Sequence, residues 1–277
     1  MPNLRPEESL APNEANHRPT DRWTAASACD RLHVGSGMIG YRDGGVWRLM
    51  RVVTIDGPAG AGKSTVARRV AERLGWRLLD TGAMYRAVAL AALRGSVDMQ
   101  SDAALAGLVE TLTVELPPGK VLLNGMDVTA DVRSVEVTRL TRHAADSPSV
   151  RRRLVEWQRR FASAERQVVT EGRDQGTIVF PDASCKFFLT ATIEERARRR
   201  HAEFLARSES IPFQTVLDDL RDRDAQDAAR AIAPMRPAAD ARTIDTTGMD
   251  LDVVVKLIED EILSNDRVEG GCDAAVP

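Results

Sequence analysis

Cysteine is scarce in this chain: three among 277 residues. Cys29, Cys185 and Cys272 stand far apart, and an odd count leaves one outside any pairing. That excludes a disulfide framework and the paired spacing of a zinc site, and it fits a reducing compartment. Aromatic residues make up 4% against 43% hydrophobic residues, so the core has to be aliphatic. No run approaches the roughly 18 apolar residues of a membrane span. An excess of one charge is lacking too: 38 basic and 41 acidic residues leave a net charge of −3. No global basic field attracts nucleic acid or an anionic membrane. The expectation is a cytoplasmic protein that buries most of its apolar surface without cross-links. Lysine is nearly missing, for only Lys63, Lys120, Lys186 and Lys256 occur among the 38 basic residues. A lysine at a demanding position is therefore informative, because an ammonium is a compact point charge and a guanidinium a planar fork.

What is present begins late. Residues 1–49 hold no apolar period longer than a few residues, and Glu7, Glu8, Glu14 and Asp21 argue against a transit peptide. This stretch is expected to be a disordered extension; the alternative is that translation starts at Met50, just before the first strand. From Arg51 the pattern is dense. Val52-Val53-Thr54-Ile55 reads as a buried strand ended by Asp56-Gly57. A helix over 63–74 stops at Gly75, a strand follows over 77–79, and a second helix runs from Ala83 to Leu93 before Gly95. Further strands are expected at 168–170, 185–189 and 242–244. This order predicts an α/β fold with a parallel central sheet and helical crossovers. Short apolar runs between turn signals over 111–133 predict a small antiparallel insert. Residues 194–230 are charged and helical in period, broken at Ile211-Pro212, and by themselves read as a solvated helix face. The domain is expected to cover 50–265, with a loose tail over 266–277.

Gly57-Pro58-Ala59-Gly60-Ala61-Gly62-Lys63-Ser64 fits G-x-x-x-x-G-K-[ST]. Glycines let successive amide groups turn inward around a polyphosphate, and the helix that follows aims its positive end at the same anion. Lys63 suits the β- and γ-phosphates, and the Ser64 hydroxyl suits Mg²⁺. The motif follows a strand, opens a helix and uses one of four lysines, so the segment reads as an NTP site.

Three more constellations narrow the use of that NTP. Glu171-Gly172-Arg173-Asp174 follows a strand, and ligands of parallel sheets gather at the carboxyl ends of strands. A carboxylate there suits Mg²⁺ or its waters, and an arginine suits a phosphate; without the nucleotide loop an internal Arg–Asp pair would explain the turn. Asp80-Thr81-Gly82-Ala83-Met84-Tyr85-Arg86 places a hydroxyl and an arginine near a helix start, suited to a second anion or simply to a cap. In Arg223-Asp224-Ala225-Gln226-Asp227-Ala228-Ala229-Arg230, polar groups recur four apart on one helix face. Arginines on a mobile flap suit phosphoryl transfer, which spreads charge over the transferred oxygens and must exclude water.

Together with Phe180-Pro181-Asp182-Ala183 and Ala231-Ile232-Ala233-Pro234-Met235, these blocks resemble, in order and spacing, the bacterial cytidylate kinase family of P-loop nucleoside monophosphate kinases. The resemblance covers about 51–263. It implies a P-loop three-layer sandwich with a small antiparallel insert in the monophosphate-binding region and a helical lid over 194–230. It implies ATP + (d)CMP → ADP + (d)CDP with Mg²⁺, CMP and dCMP as partners, and a monomer. By position it implies that Gly57 to Ser64, with Thr65, bind ATP, that Thr81, Arg86 and Arg173 hold the acceptor's phosphate, and that Tyr85 is among the substrate-binding residues. Arg151 and Asp174 would lie at the base, and Arg223, Asp227 and Arg230 would reach in from the lid side. Lys63, Arg173, Asp174, Arg223 and Arg230 would carry the transfer, Ser64 and Glu171 the metal. Arg196 and Arg200 would be lid arginines. This chain departs from the family at Arg142, where a base-reading serine is usual, at Gln226, where a lid arginine is common, and at Gln175, usually aliphatic. The alternatives are a broader UMP/CMP kinase and, in a different class, a P-loop switch. Against the switch, the chain lacks an Asn-Lys-x-Asp guanine-reading motif.

Overall fold

The computed structural model describes residues 31–33, 39–43 and 46–270. Its first strands are β1 (Arg31–His33), β2 (Ile39–Asp43) and β3 (Val46–Asp56). β3 changes partner at Met50: residues 46–50 pair antiparallel with β2, and residues 51–56 pair parallel with residues 167–172. Strand structure therefore begins earlier than expected, within the stretch read as disordered, and β3 does not start at Arg51. The signal passed over was Asp43-Gly44-Gly45, a hairpin turn sequence, with Asp43 in register with Val46. The rest of the expected extension, and residues 271–277 of the expected loose tail, lie outside the described residues.

The chain continues as α1 (Lys63–Leu74), β4 (Arg77–Asp80), α2 (Thr81–Arg94) and α3 (Asp102–Glu110). The insert follows as β5 (Val114–Glu115), β6 (Leu122–Leu123) and β7 (Met126–Asp127). Then come α4 (Val135–Asp146), α5 (Pro148–Glu165), β8 (Gln167–Gly172) and β9 (Cys185–Thr190). The last elements are α6 (Ile193–Ala206), α7 (Phe213–Ala229), β10 (Arg242–Asp245) and α8 (Leu251–Gly270). Strands β4, β8, β3, β9 and β10 lie side by side in that order, all parallel. Alternate residues leave opposite faces of a strand, so β3 feeds two cores. Val53 and Ile55 pack with Val66 and Val70 of α1 and Val255 and Ile258 of α8. Met50 and Val52 belong to the cluster of Val88 of α2 and Leu154 of α5. With both faces covered, the strand reads as a continuous apolar run rather than an alternating one.

Local chemistry sets the ends. α1 stops at Gly75 (φ 68°), whose amide donates to the carbonyls of Ala71 and Glu72. α2 starts where the Asp80 carboxylate accepts from the Ala83 amide at 2.8 Å. In the insert, Asn124 and Gly125 both take positive φ between β6 and β7, as a two-residue hairpin requires. α8 runs on to Gly270, so the loose tail expected from 266 is corrected for 266–270. Among the described residues no helix is long and apolar enough to cross a membrane.

Candidate active site

β3 is the switch point of the sheet, with β8 on one side and β9 on the other, and ligands collect at such points outside the carboxyl ends of strands. The Gly57-to-Ser64 loop leaves β3 there. Gly57 has φ 141°, and a Cβ on it would lie 2.0 Å from the Leu189 carbonyl oxygen of β9. No L side chain fits, so Gly57→Ala is expected to destabilise the protein by about 3 kcal/mol or more. Urea unfolding measures this, and a loss under about 1 kcal/mol would mean that β9 gives way.

Lys63 opens α1 and is buried; its ammonium donates to the Pro58 carbonyl at 2.7 Å, across the loop. Burial and then the Arg173 charge lower its pKa to about 7, while Glu171 opposes them. Next to it the Ser64 hydroxyl donates to Glu171 Oε1 at 2.9 Å. Burial and then Asp80 raise the Glu171 pKa, with Lys63 and Arg173 pulling it down. Pro58, Ala59 and Ala61 are buried, whereas Thr65 is exposed.

Helix α6 packs directly on the loop. Arg196, buried, donates to the carbonyls of Ala59 at 3.0 Å and Ala191 at 3.0 Å and pairs with Asp224 of α7 at 2.6 Å. Arg200 pairs with Glu203 at 2.7 Å and lies 4.6 Å from the Phe204 ring. Of the two lid arginines named from sequence, Arg196 is therefore the one tied to the loop. The 194–230 segment is not a wholly solvated face, since Arg196 and Asp227 are buried.

The second group of sequence-marked residues gathers beside Glu171. The Thr81 hydroxyl donates to the Glu171 carbonyl at 2.7 Å. Arg86 bonds both Asp80 oxygens at 3.4 Å. Arg151 and Asp174, each 5% exposed, form an ion pair, and Arg151 lies 5.9 Å from the Tyr85 ring. Burial raises the Tyr85 pKa to about 12, with Arg151 opposing it. Arg173 donates to Asp227 at 2.9 Å, and Asp227 also accepts from Arg230 at 2.8 Å. Arg230 continues to Asp146 of α4 at 2.7 Å. At Asp227 burial pushes the pKa up, but Arg173, Arg230 and Arg223 hold the carboxyl below its usual range. Arg223 has an accessible surface, yet desolvation by the surrounding chain and the Arg173 charge draw its pKa down to about 10, against the pull of Asp227. Arg142 and Gln226 are both exposed, and Arg142 donates to His143 at 3.4 Å.

Two residues escaped the sequence reading of the site. Arg199 of α6 bonds the Thr246 carbonyl at 2.6 Å and hydroxyl at 2.9 Å. Asp56 is buried at the end of β3 and accepts the amides of Gln175 and Gly176. A carboxylate closing an apolar strand was the available signal for Asp56; nothing in sequence marks Arg199. Glu171 thus stands between the glycine loop with its buried lysine and a group of arginines held by carboxylates. The arrangement suits two anions placed end to end.

The sequence profile of the family described as Cytidylate kinase matches residues 53–264. The Cytidylate kinase of Pelotomaculum thermopropionicum is 48% identical over 211 residues, spanning 74% of this chain and 93% of that protein. That of Carboxydothermus hydrogenoformans is 45% identical over 212 residues, 75% of this chain and 95% of that protein. That of Pseudomonas fluorescens Pf-5 is 42% identical over 221 residues, 78% of this chain and 96% of that protein.

Proposed function

The chain belongs to the cytidylate kinase family, and from that premise we propose how its residues transfer the γ-phosphate of ATP to CMP or dCMP. It is a nucleoside monophosphate kinase, with ATP as the phosphate donor. The observation that carries the assignment of roles is the meeting at Glu171: Ser64 of the phosphate loop bonds its side chain, and Thr81 of the second group bonds its carbonyl. One residue joins donor side and acceptor side.

In this reading the loop from Gly57 to Thr65 cradles the ATP phosphates. Thr81, Arg86 and Arg173 hold the acceptor phosphate, Arg151 and Asp174 meet the base with Tyr85 beside Arg151, and Arg223, Asp227 and Arg230 come from the lid. The attacking atom is already an anionic phosphate oxygen, so no residue has to remove a proton. The protein's contribution is alignment, charge neutralisation by Lys63 and the arginines, and exclusion of water under the lid. The Ser64 hydroxyl beside the Glu171 carboxylate fits Mg²⁺, which takes one or two protein oxygens and otherwise phosphates and water. Bound there, Mg²⁺ would neutralise charge on the β- and γ-oxygens. The working unit in this reading is a monomer, by analogy with other lid kinases of this size. A cytoplasmic location fits its ATP dependence.

The test is ATP-dependent turnover of CMP, dCMP, UMP, AMP and GMP, and of buffer alone, in a coupled ADP assay. Fast turnover with CMP and dCMP is expected. Equal turnover with UMP would move the doubt to the exposed Arg142 and to base reading. ADP release unchanged by any monophosphate would make the protein an NTPase and remove the acceptor assignments.

A further inference from the structure

Asp56 is a buried carboxylate that the transfer chemistry does not use. It is 4% exposed and directly precedes Gly57, the first residue of the phosphate loop. Its Oδ1 accepts the Gln175 amide at 2.9 Å and its Oδ2 accepts the Gly176 amide at 2.7 Å. Those amides open the single wide turn over Gln175–Val179, and the residues just before it are Arg173 and Asp174. The two oxygens of one side chain thus tie the root of the donor loop to the turn that bears two acceptor-side groups.

The seat is close-fitting. A Cβ on Gly176 would lie 2.9 Å from Thr54 Oγ1 and 3.3 Å from Lys186 Cδ. On the other flank the buried Gln175 side chain accepts from Thr170 Oγ1 at 2.9 Å, and a Cβ on Gly172 would lie 2.7 Å from Gln175 Cγ. Arg173 and Asp174 are therefore fixed from both ends, by Gly172 against Gln175 and by Gly176 against Asp56. A bidentate grip on two amides needs two acceptors. Asparagine would offer one acceptor and turn an N–H toward an N–H.

We propose that Asp56 is a positioning residue for phosphoryl transfer, holding Arg173 and Asp174 in register with the phosphate loop so that the two phosphates align. The proposal rests on the kinase reading and deepens it: ATP is gripped by the loop itself, while alignment of the acceptor depends on Asp56. A misplacement of about 1 Å at a reacting pair costs on the order of a hundredfold in rate.

The experiment is steady-state kinetics with CMP on the full chain carrying Asp56→Asn, beside ATP affinity by calorimetry and thermal unfolding. The expected result is a kcat lowered about 30- to 100-fold with the ATP Kd within about threefold. A folded variant with kcat within threefold of the parent overturns the proposal. So does a loss of ATP affinity as large as the loss of kcat, which would make Asp56 a prop of the donor loop only. If Asp56→Asn does not fold, Gly176→Ala lifts the same turn from the other side with the carboxylate intact. The same split is then expected, and kcat within threefold overturns the proposal. Turnover of CMP by the parent enzyme separates the two levels: without it the kinase reading falls and this assignment with it, and with it Asp56 alone is at stake.

Discussion

Lys63→Met should lower kcat for CMP phosphorylation by about a thousandfold or more while leaving the fold intact. Removing one donor aimed at developing charge costs 10²- to 10³-fold in other enzymes, and a full ammonium inside a buried loop counts for at least as much. The other three lysines are engaged elsewhere, Lys186 by Asp240 at 2.7 Å, Lys120 by Asp127 at 3.6 Å and Lys256 by Asp260 at 3.1 Å. The same side chain makes a proton signature. Its folded pKa is about 7, lowered first by burial and then by Arg173. Polyphosphate beside it favours the charged form, so ATP binding at pH 8 should take up protons. The binding enthalpy should then vary with the ionisation enthalpy of the buffer, and Lys63→Met should abolish that variation. The stability sign follows from the same shift. The unfolded lysine keeps its proton up to about 10.5 and the folded one loses it near 7, so this group alone makes stability rise with pH across that window. Near-normal kcat in Lys63→Met would refute the assigned role.

Asp174→Ala should reduce kcat/KM for CMP by about a hundredfold or more and leave the ATP Kd within about twofold. Asp174 and Arg151 are both buried and paired, and deleting one partner strands the other charge, at about 3–5 kcal/mol of stability. The loss of CMP use and the loss of stability can be separated. Adding Arg151→Met removes the stranded charge, so the double variant should regain part of its thermal stability without regaining CMP turnover. Equal weakening of ATP and CMP binding in calorimetry would place Asp174 outside the acceptor site.

Much of the fold was legible because its signals are local. Lys63 to Leu74 and its stop at Gly75 coincide with α1, and the break at Ile211-Pro212 falls between α6 and α7. The insert declared itself through turn pairs such as Asn124-Gly125. The antiparallel pairing of β1, β2 and the first half of β3 was missed because β1 and β2 are short and their composition resembles a coil; only Asp43-Gly44-Gly45, between β2 and β3, hinted at pairing. Of the site, the residue types and their loops were legible, but not their partners. Arg223 and Asp227 could be placed on one helix face by counting. That Asp227 holds Arg173 across 54 positions, and Arg230 three along, depends on how α7 meets β8. Asp56 was hidden for the same reason: its two bonds reach residues 119 and 120 positions away.

The series Arg173–Asp227–Arg230–Asp146 has a further consequence. Its guanidiniums already have counter-ions built into the chain, so under the proposed assignment an arriving phosphate exchanges for a carboxylate instead of meeting a bare cation. On that assignment the site works like a small ion-exchange bed. Each exchange returns only the difference between two strong pairings, which keeps the hold on substrate and product moderate and favours release at each cycle. Matched internal charge also leaves little long-range field to collect stray anions.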